Sequence, residues 1–182
     1  MPSGLKWSAW NVGATKAEEY GLYFAWGETV SYNANRTYKY ADSNGKITKY
    51  NEDGLTTLEL VDDAAYVTDN TCRMPTADEM QELIANTTSA CTQVNGVSGV
   101  TLTSKVNENS IFVPAAGAYF DGSNDTIGKS ARVWTSSLSD YSNDDTPDYL
   151  CAQYLGIADD TVIVSNVWGV RGIGCVVRPV KE

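Results

Sequence analysis

The stretch RMPTADEMQELI, residues 73–84, shows most clearly where helix is favoured in this chain. Thr76 can accept a hydrogen bond from the first helical turn, and Glu79 follows it at the spacing of a capping box. Pro75 keeps the helix from extending backwards. The apolar side chains then recur at helical spacing, at Ala77, Met80, Leu83 and Ile84. The stretch therefore predicts an amphipathic helix that starts at Thr76.

The segments around this helix divide into an early helical part and a late strand part. Residues 58–67 predict a second, shorter helix, and residues 30–54 predict a long surface loop with a hairpin turn at Asn44-Gly45. Strands are predicted at Val100–Lys105, Ile111–Val113, Arg132–Ser137, Tyr149–Ile157, Thr161–Val164 and Cys175–Val180. Helices early and strands late predict an α+β fold with antiparallel sheets, in one domain over residues 1–182.

The composition argues against several classes of function. The 182 residues carry a net charge of -10, which disfavours binding to nucleic acid or to an anionic membrane. No apolar run is long enough to span a bilayer. The chain has no His, the commonest catalytic base and metal ligand. We expect no cofactor and no catalytic site. No leader is visible, and we hypothesise that Met1 stands in place of a removed one.

The cysteines and the densest acidic loop leave two alternatives open. Cys72, Cys91, Cys151 and Cys175 have neither metal-knuckle nor C-x-x-C spacing, and their number allows three disulfide pairings, of which we expect none or one bridge. Residues 140–148 contain several aspartates that could offer oxygens to calcium, although EF-hand spacing is absent. A solvated loop is the simpler interpretation.

Landmarks spread along nearly the whole chain resemble those of a large family of exported Bacteroidetes proteins. They include Asn11-Val12-Gly13-Ala14, Tyr20 to Thr29, Asp62-Asp63-Ala64-Ala65, Arg73-Met74-Pro75-Thr76, Asn95 to Gly99, Ser110 to Gly117, Trp134-Thr135-Ser136-Ser137 and the closing Arg171 to Val180. The chain thereby resembles the Fibrobacter-type major paralogous domain, which is related to C-type-lectin-like folds. Cys72 departs from the pattern, since the family usually has Trp there.

The resemblance implies a C-type-lectin-like fold with two helices packed on antiparallel sheets and long loops. It also extends to the variable proteins of diversity-generating retroelements, whose binding surface lies near the C-terminus. This implies a binding region at about residues 131–180, with Trp134, Arg171 and Arg178 as framework. Within it, we expect the segments 138–149 and 157–173 to meet the partner. The calcium and sugar motifs Glu-Pro-Asn and Trp-Asn-Asp are absent, so calcium-dependent sugar binding does not follow.

The predicted ligand contacts are polar and aromatic residues between the framework positions, of the kind that antibody loops use. They are Asp140, Tyr141, Asn143, Asp145, Tyr149, Gln153, Asp160, Ser165, Asn166, Trp168 and Ile173. Trp168 stands between two interpretations, a binding anchor and partly buried packing. The tryptophans of the framework motifs, Trp7, Trp10, Trp26 and Trp134, are predicted to be core.

The sequence therefore predicts a non-enzymatic, extracellular or cell-surface module that binds a protein or a glycan on another surface. One alternative is an enzyme-like domain of the formylglycine-generating type, which requires Cys151 and Cys175 on neighbouring strands. Another is a structural subunit at the tip of a surface fibre, which requires an exposed edge strand or tail that pairs with a neighbour.

Overall fold

The structure is a computed structural model that describes residues 1–51, 54–139, 150–158 and 161–182, with the backbone alone over residues 161–169. Its helices are a 3-10 turn at Leu60–Asp62, α1 at Ala64–Thr68 and α2 at Ala77–Ala85. Its strands are β1 Lys6–Trp7, β2 Tyr23–Phe24, β3 Thr87–Val94, β4 Val97–Ser104, β5 Ser110–Pro114, β6 Ser130–Leu138, β7 Cys151–Ala158, β8 Thr161–Val170, β9 Cys175–Val176 and β10 Val180–Lys181.

The strands form three sheets, and the two ends of the chain meet in them. β1 pairs with β10, and the five-stranded sheet has the order β2-β9-β6-β7-β8. The third sheet has the order β3-β4-β5. All pairings between these strands are antiparallel except that of β6 with β9. The described residues thus form an α+β fold with two α-helices and mostly antiparallel sheets, which confirms the predicted class at this level.

The helix predicted from residues 73–84 is confirmed together with its cap. Thr76 and Glu79 close the capping box at the start of α2, and Arg73 holds the Glu79 carboxylate with two hydrogen bonds of 2.7 Å. The upstream helix is shorter than the predicted 58–67. Asp63 caps α1 by accepting from the amides of Ala65 and Tyr66, whereas Asp62 has a different role, described below.

Two apolar clusters fill the interior. One lies around Trp26 and Trp134, and the other is formed by α2, the inner faces of β4 and β5, and the five-stranded sheet. Trp26 and Trp134 are fully buried and each donates its indole N–H to a backbone carbonyl 2.9 Å away. The core prediction is wrong for Trp10, which is 43% exposed because it lies in a bend outside the three sheets.

Three predicted elements differ from those observed. The closing strand splits into β9 and β10, because the buried Arg178 side chain bonds there to Ser8, Asn11 and Phe112, and Pro179 has no amide N–H. β8 continues to Val170, well beyond the predicted Thr161–Val164. The hairpin turn at Asn44-Gly45 forms, but its ladder begins at Ala41 and Ile47, so the loop is longer than two residues.

Candidate ligand-binding face

Two segments are predicted to carry the binding surface, residues 138–149 and 157–173, and the described residues at or next to their ends meet at one end of the five-stranded sheet. The amide of Ser139 donates to the carbonyl of Cys151 at 3.0 Å, which links the start of the first segment to the strand that follows it. Cys151 in turn faces Val170 near the end of the second segment. The described ends of both segments therefore lie side by side.

Gln153 marks an irregularity in both ladders of β7. The register with β6 shifts so that residues 135–137 all stand opposite Gln153. The register with β8 shifts at the same point and sets residues 166–168 opposite it. Such bulges twist a sheet and are frequent beside functional sites. Two of the predicted contacts, Asn166 and Trp168, fall within the second bulge.

The side chain of Gln153 stabilises this irregular point. It is 8% exposed, and its amide nitrogen donates to the carbonyl of Leu138 at 2.9 Å, while the main-chain carbonyl of Gln153 accepts from the Thr135 hydroxyl at 2.8 Å. These bonds replace ladder bonds that the bulges remove, because buried carbonyls need partners. Gln153 thus supports the face from inside and has little surface left for a ligand.

Arg171 ties the end of the second segment to the loop of residues 38–50. Its guanidinium is buried and donates to the carbonyls of Tyr50 at 2.7 Å and Lys49 at 2.9 Å. It also lies 5.1 Å from the ring of Trp26 and 5.7 Å from that of Tyr38, within cation–π range. Arg171 therefore fixes two segments that are distant in the sequence.

The buried carboxylate of Asp62 also holds the loop of residues 38–50, through hydrogen bonds. Asp62 is 3% exposed and accepts from the ammonium groups of Lys39 at 2.8 Å and Lys49 at 2.7 Å, and from the hydroxyl of Tyr50 at 2.7 Å. Burial alone would raise the pKa of Asp62, but these bonds and one from Tyr40 hold its pKa well below the ordinary value. Asp62 is therefore ionised and paired at neutral pH.

Tyr50 adopts an unusual backbone conformation between these two anchors. Its φ of 55° lies in the left-handed region, which a side chain other than glycine's rarely adopts. The ring is fully buried and packs edge-on against Trp26 and Tyr40 at 5.2 and 5.6 Å. The contacts around the residue thus hold the loop in a conformation that it would not favour alone.

These anchors shape a cavity, here called the C-terminal pocket, where the loop meets residues 150–151 and residues 170–172. Its volume is about 350 Å³, and it is lined by Leu150, Cys151, Val170, Arg171 and Gly172 on one side and by Tyr38, Ala41, Gly45 and Ile47 on the other. Val170 is 60% exposed, so an apolar side chain faces solvent beside it. The pocket is of a size to receive an apolar side chain of a ligand.

The structure places only some of the predicted contacts. Asp140, Tyr141, Asn143, Asp145, Tyr149 and Asp160 lie outside the described residues. Ser165, Asn166 and Trp168 lie on β8, where the backbone alone is described. Gln153 and Ile173 are buried, and Ile173 packs in the cluster around Trp26.

The sequence interpretation misses the pocket wall at Tyr38, Ala41 and Ile47, because residues 30–54 are rich in Asn, Lys and Gly and resemble solvated loop. A signal for them exists in the aromatic residues of this loop. Tyr38, Tyr40 and Tyr50 form a chain of edge-on contacts with ring centroids 5.6 to 5.9 Å apart. Three aromatic residues and Ile47 in a supposed surface loop indicate a packed one.

The cysteines do not form the arrangement that the enzyme alternative requires. Cys151 lies on β7 and Cys175 on β9, and β6 lies between these strands. Both side chains are buried, and burial raises the pKa of both thiols. Protonated thiols are poor nucleophiles.

Other chemical features can be stated for the described part of the chain. Within it, no group of three or more His, Cys, Asp or Glu side chains is placed to hold a metal ion. The acidic residues 140–148, considered above for calcium, lie outside it. None of its helices has both the length and the apolar character needed to cross a bilayer.

Comparison of the chain with protein-family models, with curated proteins and with solved structures finds no match.

Proposed function

We propose that this chain is an extracellular or cell-surface binding module with a C-type-lectin-like fold, and that it recognises a protein on another surface through the C-terminal pocket. The α+β architecture with two helices and mostly antiparallel sheets is compatible with that fold. The observation that carries the proposal is the pocket formed where residues 150–151, residues 170–172 and the loop of residues 38–50 meet. Loops held by a rigid scaffold are where binding residues concentrate.

The nature of the pocket favours a protein ligand over a glycan. Tyr38, Ile47 and Val170 offer apolar surface, and an aromatic or aliphatic side chain buried in such a pocket is the usual anchor of a protein interface. Polar residues of the two segments would surround this anchor as a rim. The ligand is bound without covalent change, so recognition is the whole activity.

An array of glycans and cell-surface proteins tests this proposal with two matched variants. Val170→Glu puts a charge beside the pocket, whereas Val106→Glu makes the same change at a side chain that is 79% exposed and outside the pocket lining. We expect the wild type and Val106→Glu to bind the same protein, and Val170→Glu to bind it about tenfold or more weakly. Binding lost equally in both variants, or to no spot on the array, would contradict the proposal.

We further propose that the binding surface is diversified by a retroelement. The gene would then be accompanied by a reverse transcriptase gene and by a near-copy of its own 3′ end. Mismatches at template adenines are expected in codons such as those of Tyr141, Asn166 and Trp168, and not in those of Trp134, Arg171 and Arg178. Sequencing the locus decides this point, and a locus without the copy would mean a fixed binding face.

A further inference from the structure

A second cavity, here called the tyrosine cleft, lies between residues 21–23, residues 31–34 and residues 119 and 122. Its volume is about 340 Å³, and it shares no lining residue with the C-terminal pocket. Three of the residues that line it are tyrosines, Tyr23, Tyr32 and Tyr119. Cavities that bind small ligands start at about 300 Å³ and are lined by aromatic side chains with a few polar groups. The tyrosine cleft therefore has room for one or two six-membered rings.

The main chain holds the rings of Tyr32 and Tyr119 in place. Tyr119 exchanges two backbone hydrogen bonds with Gly174, of 2.8 and 3.0 Å. A Cβ atom at Gly174 would stand 2.7 Å from Cγ of Tyr32, so the Tyr32 ring lies directly on the main chain of this glycine. The rings of Tyr32 and Tyr119 are 5.6 Å apart and inclined by 30°, and Tyr23 packs edge-on against Tyr119 at 4.8 Å. Such a prearranged surface loses little conformational entropy when a ligand binds.

Polar groups without a protein partner surround these rings. The hydroxyls of Tyr32, Tyr119 and Ser31 form no hydrogen bond with any residue that the structure describes, and neither does the side-chain nitrogen of Asn33. The hydroxyl of Tyr23, in contrast, donates to a main-chain carbonyl at 2.6 Å. A hydroxyl both donates and accepts, whereas the amide nitrogen only donates. The four free groups therefore suit a ligand that carries several hydroxyls of its own.

The lining of the tyrosine cleft is uncharged. None of its lining residues, all of which the structure describes, is acidic or basic. Glu19, Arg36 and Asp121 lie within two residues of the lining along the chain, but they do not line the cleft. A cation bound between aromatic rings is attracted by their faces, and a carboxylate in the lining would hold it more firmly. The absence of a carboxylate from this lining favours a neutral ligand.

We infer that the tyrosine cleft binds a neutral glycan, with a sugar ring stacked on Tyr32 and its hydroxyls bonded to the surrounding polar groups. Because Gly174 covers one face of the Tyr32 ring, the sugar contacts the opposite face. The face of an aromatic ring is negative, so it attracts the weakly positive C–H groups of a sugar. A purely apolar side chain of a protein would leave the hydroxyls of Tyr32 and Tyr119 unpaired. The inference does not depend on the binding function of the C-terminal pocket.

Titration of isotope-labelled protein with neutral oligosaccharides, followed by NMR, tests this inference. The probes are hexasaccharides of glucose, mannose, galactose and xylose, each added up to about 10 mM, which detects a Kd of about 1 mM. Tyr32→Ala removes one ring of the cleft, and Tyr32→Phe removes only its hydroxyl. Tyr66→Ala is the matched control, since Tyr66 is also partly buried but lies on α1 and does not line the cleft.

We expect at least one probe to shift the ring signals of Tyr32 and Tyr119 in a saturable way. Tyr66→Ala should bind that probe like the wild type. Tyr32→Phe should bind it about two- to tenfold more weakly through the loss of one hydrogen bond, and Tyr32→Ala about tenfold or more weakly. Circular dichroism checks that the variants are folded. No shift with any probe, or an equal loss in Tyr66→Ala and Tyr32→Ala, would overturn the inference.

Two further titrations separate the tyrosine cleft from the alternatives. Tetramethylammonium stacks on aromatic faces but cannot form hydrogen bonds, and we expect it to leave the ring signals unchanged. Signals that respond to this cation and to no sugar would reveal a cation site instead. Val170→Glu should bind the sugar like the wild type, because Val170 lines only the C-terminal pocket of the two. A loss of sugar binding in Val170→Glu would place the sugar in that pocket, and would equally overturn the inference.

Discussion

The β8 strand of the five-stranded sheet is irregular, whereas the β3 strand of the three-stranded sheet is regular. β8 is broken by a bulge at residues 166–168, and buried side chains such as Gln153 and Arg171 stabilise the irregular region around it. β3 is regular along its whole length. A bulged edge resists strand addition and leaves its loops for other contacts.

The comparison also shows where the stability of each region originates. The C-terminal pocket depends on a few long-range polar anchors, and loss of one leaves buried groups unsatisfied. The β3–β4 hairpin depends on repeated ladder bonds and a tight turn at Asn95-Gly96, whose φ values of 50° and 83° fit a two-residue hairpin. We therefore expect single substitutions to cost much more around the pocket than along β3.

The largest effect is expected for Arg171→Met. The change keeps apolar bulk but leaves the carbonyls of Lys49 and Tyr50 without their guanidinium donors, and it removes the contact with the Trp26 ring. Unfolding in urea should show a loss of about 3 kcal/mol or more. Arg36→Met is the control, because Arg36 is 42% exposed and lies 3.7 Å from Glu28, and should cost less than about 1 kcal/mol. Equal losses would contradict the anchoring role.

The next largest effect is expected for Asp62→Asn, and it depends on pH. The variant replaces a buried carboxylate that is paired with two lysines, which should lower the free energy of unfolding by about 2–3 kcal/mol at pH 7. Because the pKa of Asp62 is depressed in the folded state, the unfolded state takes up the proton first on acidification. This stabilisation is therefore complete above about pH 4, the ordinary aspartate value, and falls as the pH drops toward the folded pKa.

Unfolding free energies measured between neutral pH and pH 2 test whether the stabilisation by Asp62 is lost on acidification. The Asp62→Asn variant should lose less stability on acidification than the wild type does. Asp125→Asn, the same change at an exposed side chain, should follow the wild-type pH profile. An Asp62→Asn profile parallel to the wild type would show that Asp62 does not contribute through its charge.

The sequence predicts the elements whose determinants are local. The α2 helix carries its own cap in Thr76 and Glu79, and Pro75 sets its start, so no distant residue is needed to place it. The α+β class likewise follows from the order of patterns along the chain. The framework roles of Trp134 and Arg171, which the family resemblance implies, agree with their full burial.

The pocket wall could not be predicted in this way because its cause is distant in the sequence. The loop around Tyr50 is held by Arg171, which lies 121 residues away, and by Asp62. The same holds for β8, since its residues 165–170 resemble a turn until their pairing with β7 is known. Gln153 looks like a contact residue in the sequence because nothing local indicates that two bulges meet at it.

A moderate effect is expected for Gln153→Leu. The substitution fits the space approximately but leaves the carbonyl of Leu138 without its donor in a buried position. We expect a loss of about 1–3 kcal/mol in urea unfolding and faster amide exchange at Ser139. Gln81→Leu, at an exposed site on α2, should change stability by less than about 0.5 kcal/mol. A loss no greater than that of the control would mean that Gln153 does not stabilise the bulges.

The smallest effect is expected for Ser89→Pro on β3. Proline removes an N–H, but the Lys105 amide donates to the carbonyl of Asn86, so along the alternating ladder the Ser89 N–H points away from β4 and the loss should be below about 1 kcal/mol. Ala90→Pro removes an N–H that bonds to β4 and should cost about 3 kcal/mol. Thermal or urea unfolding of the two variants measures how their losses of stability differ, although Ser89 and Ala90 are neighbours and both exposed. If Ser89→Pro were the more damaging, the main chain of Ser89 would face β4.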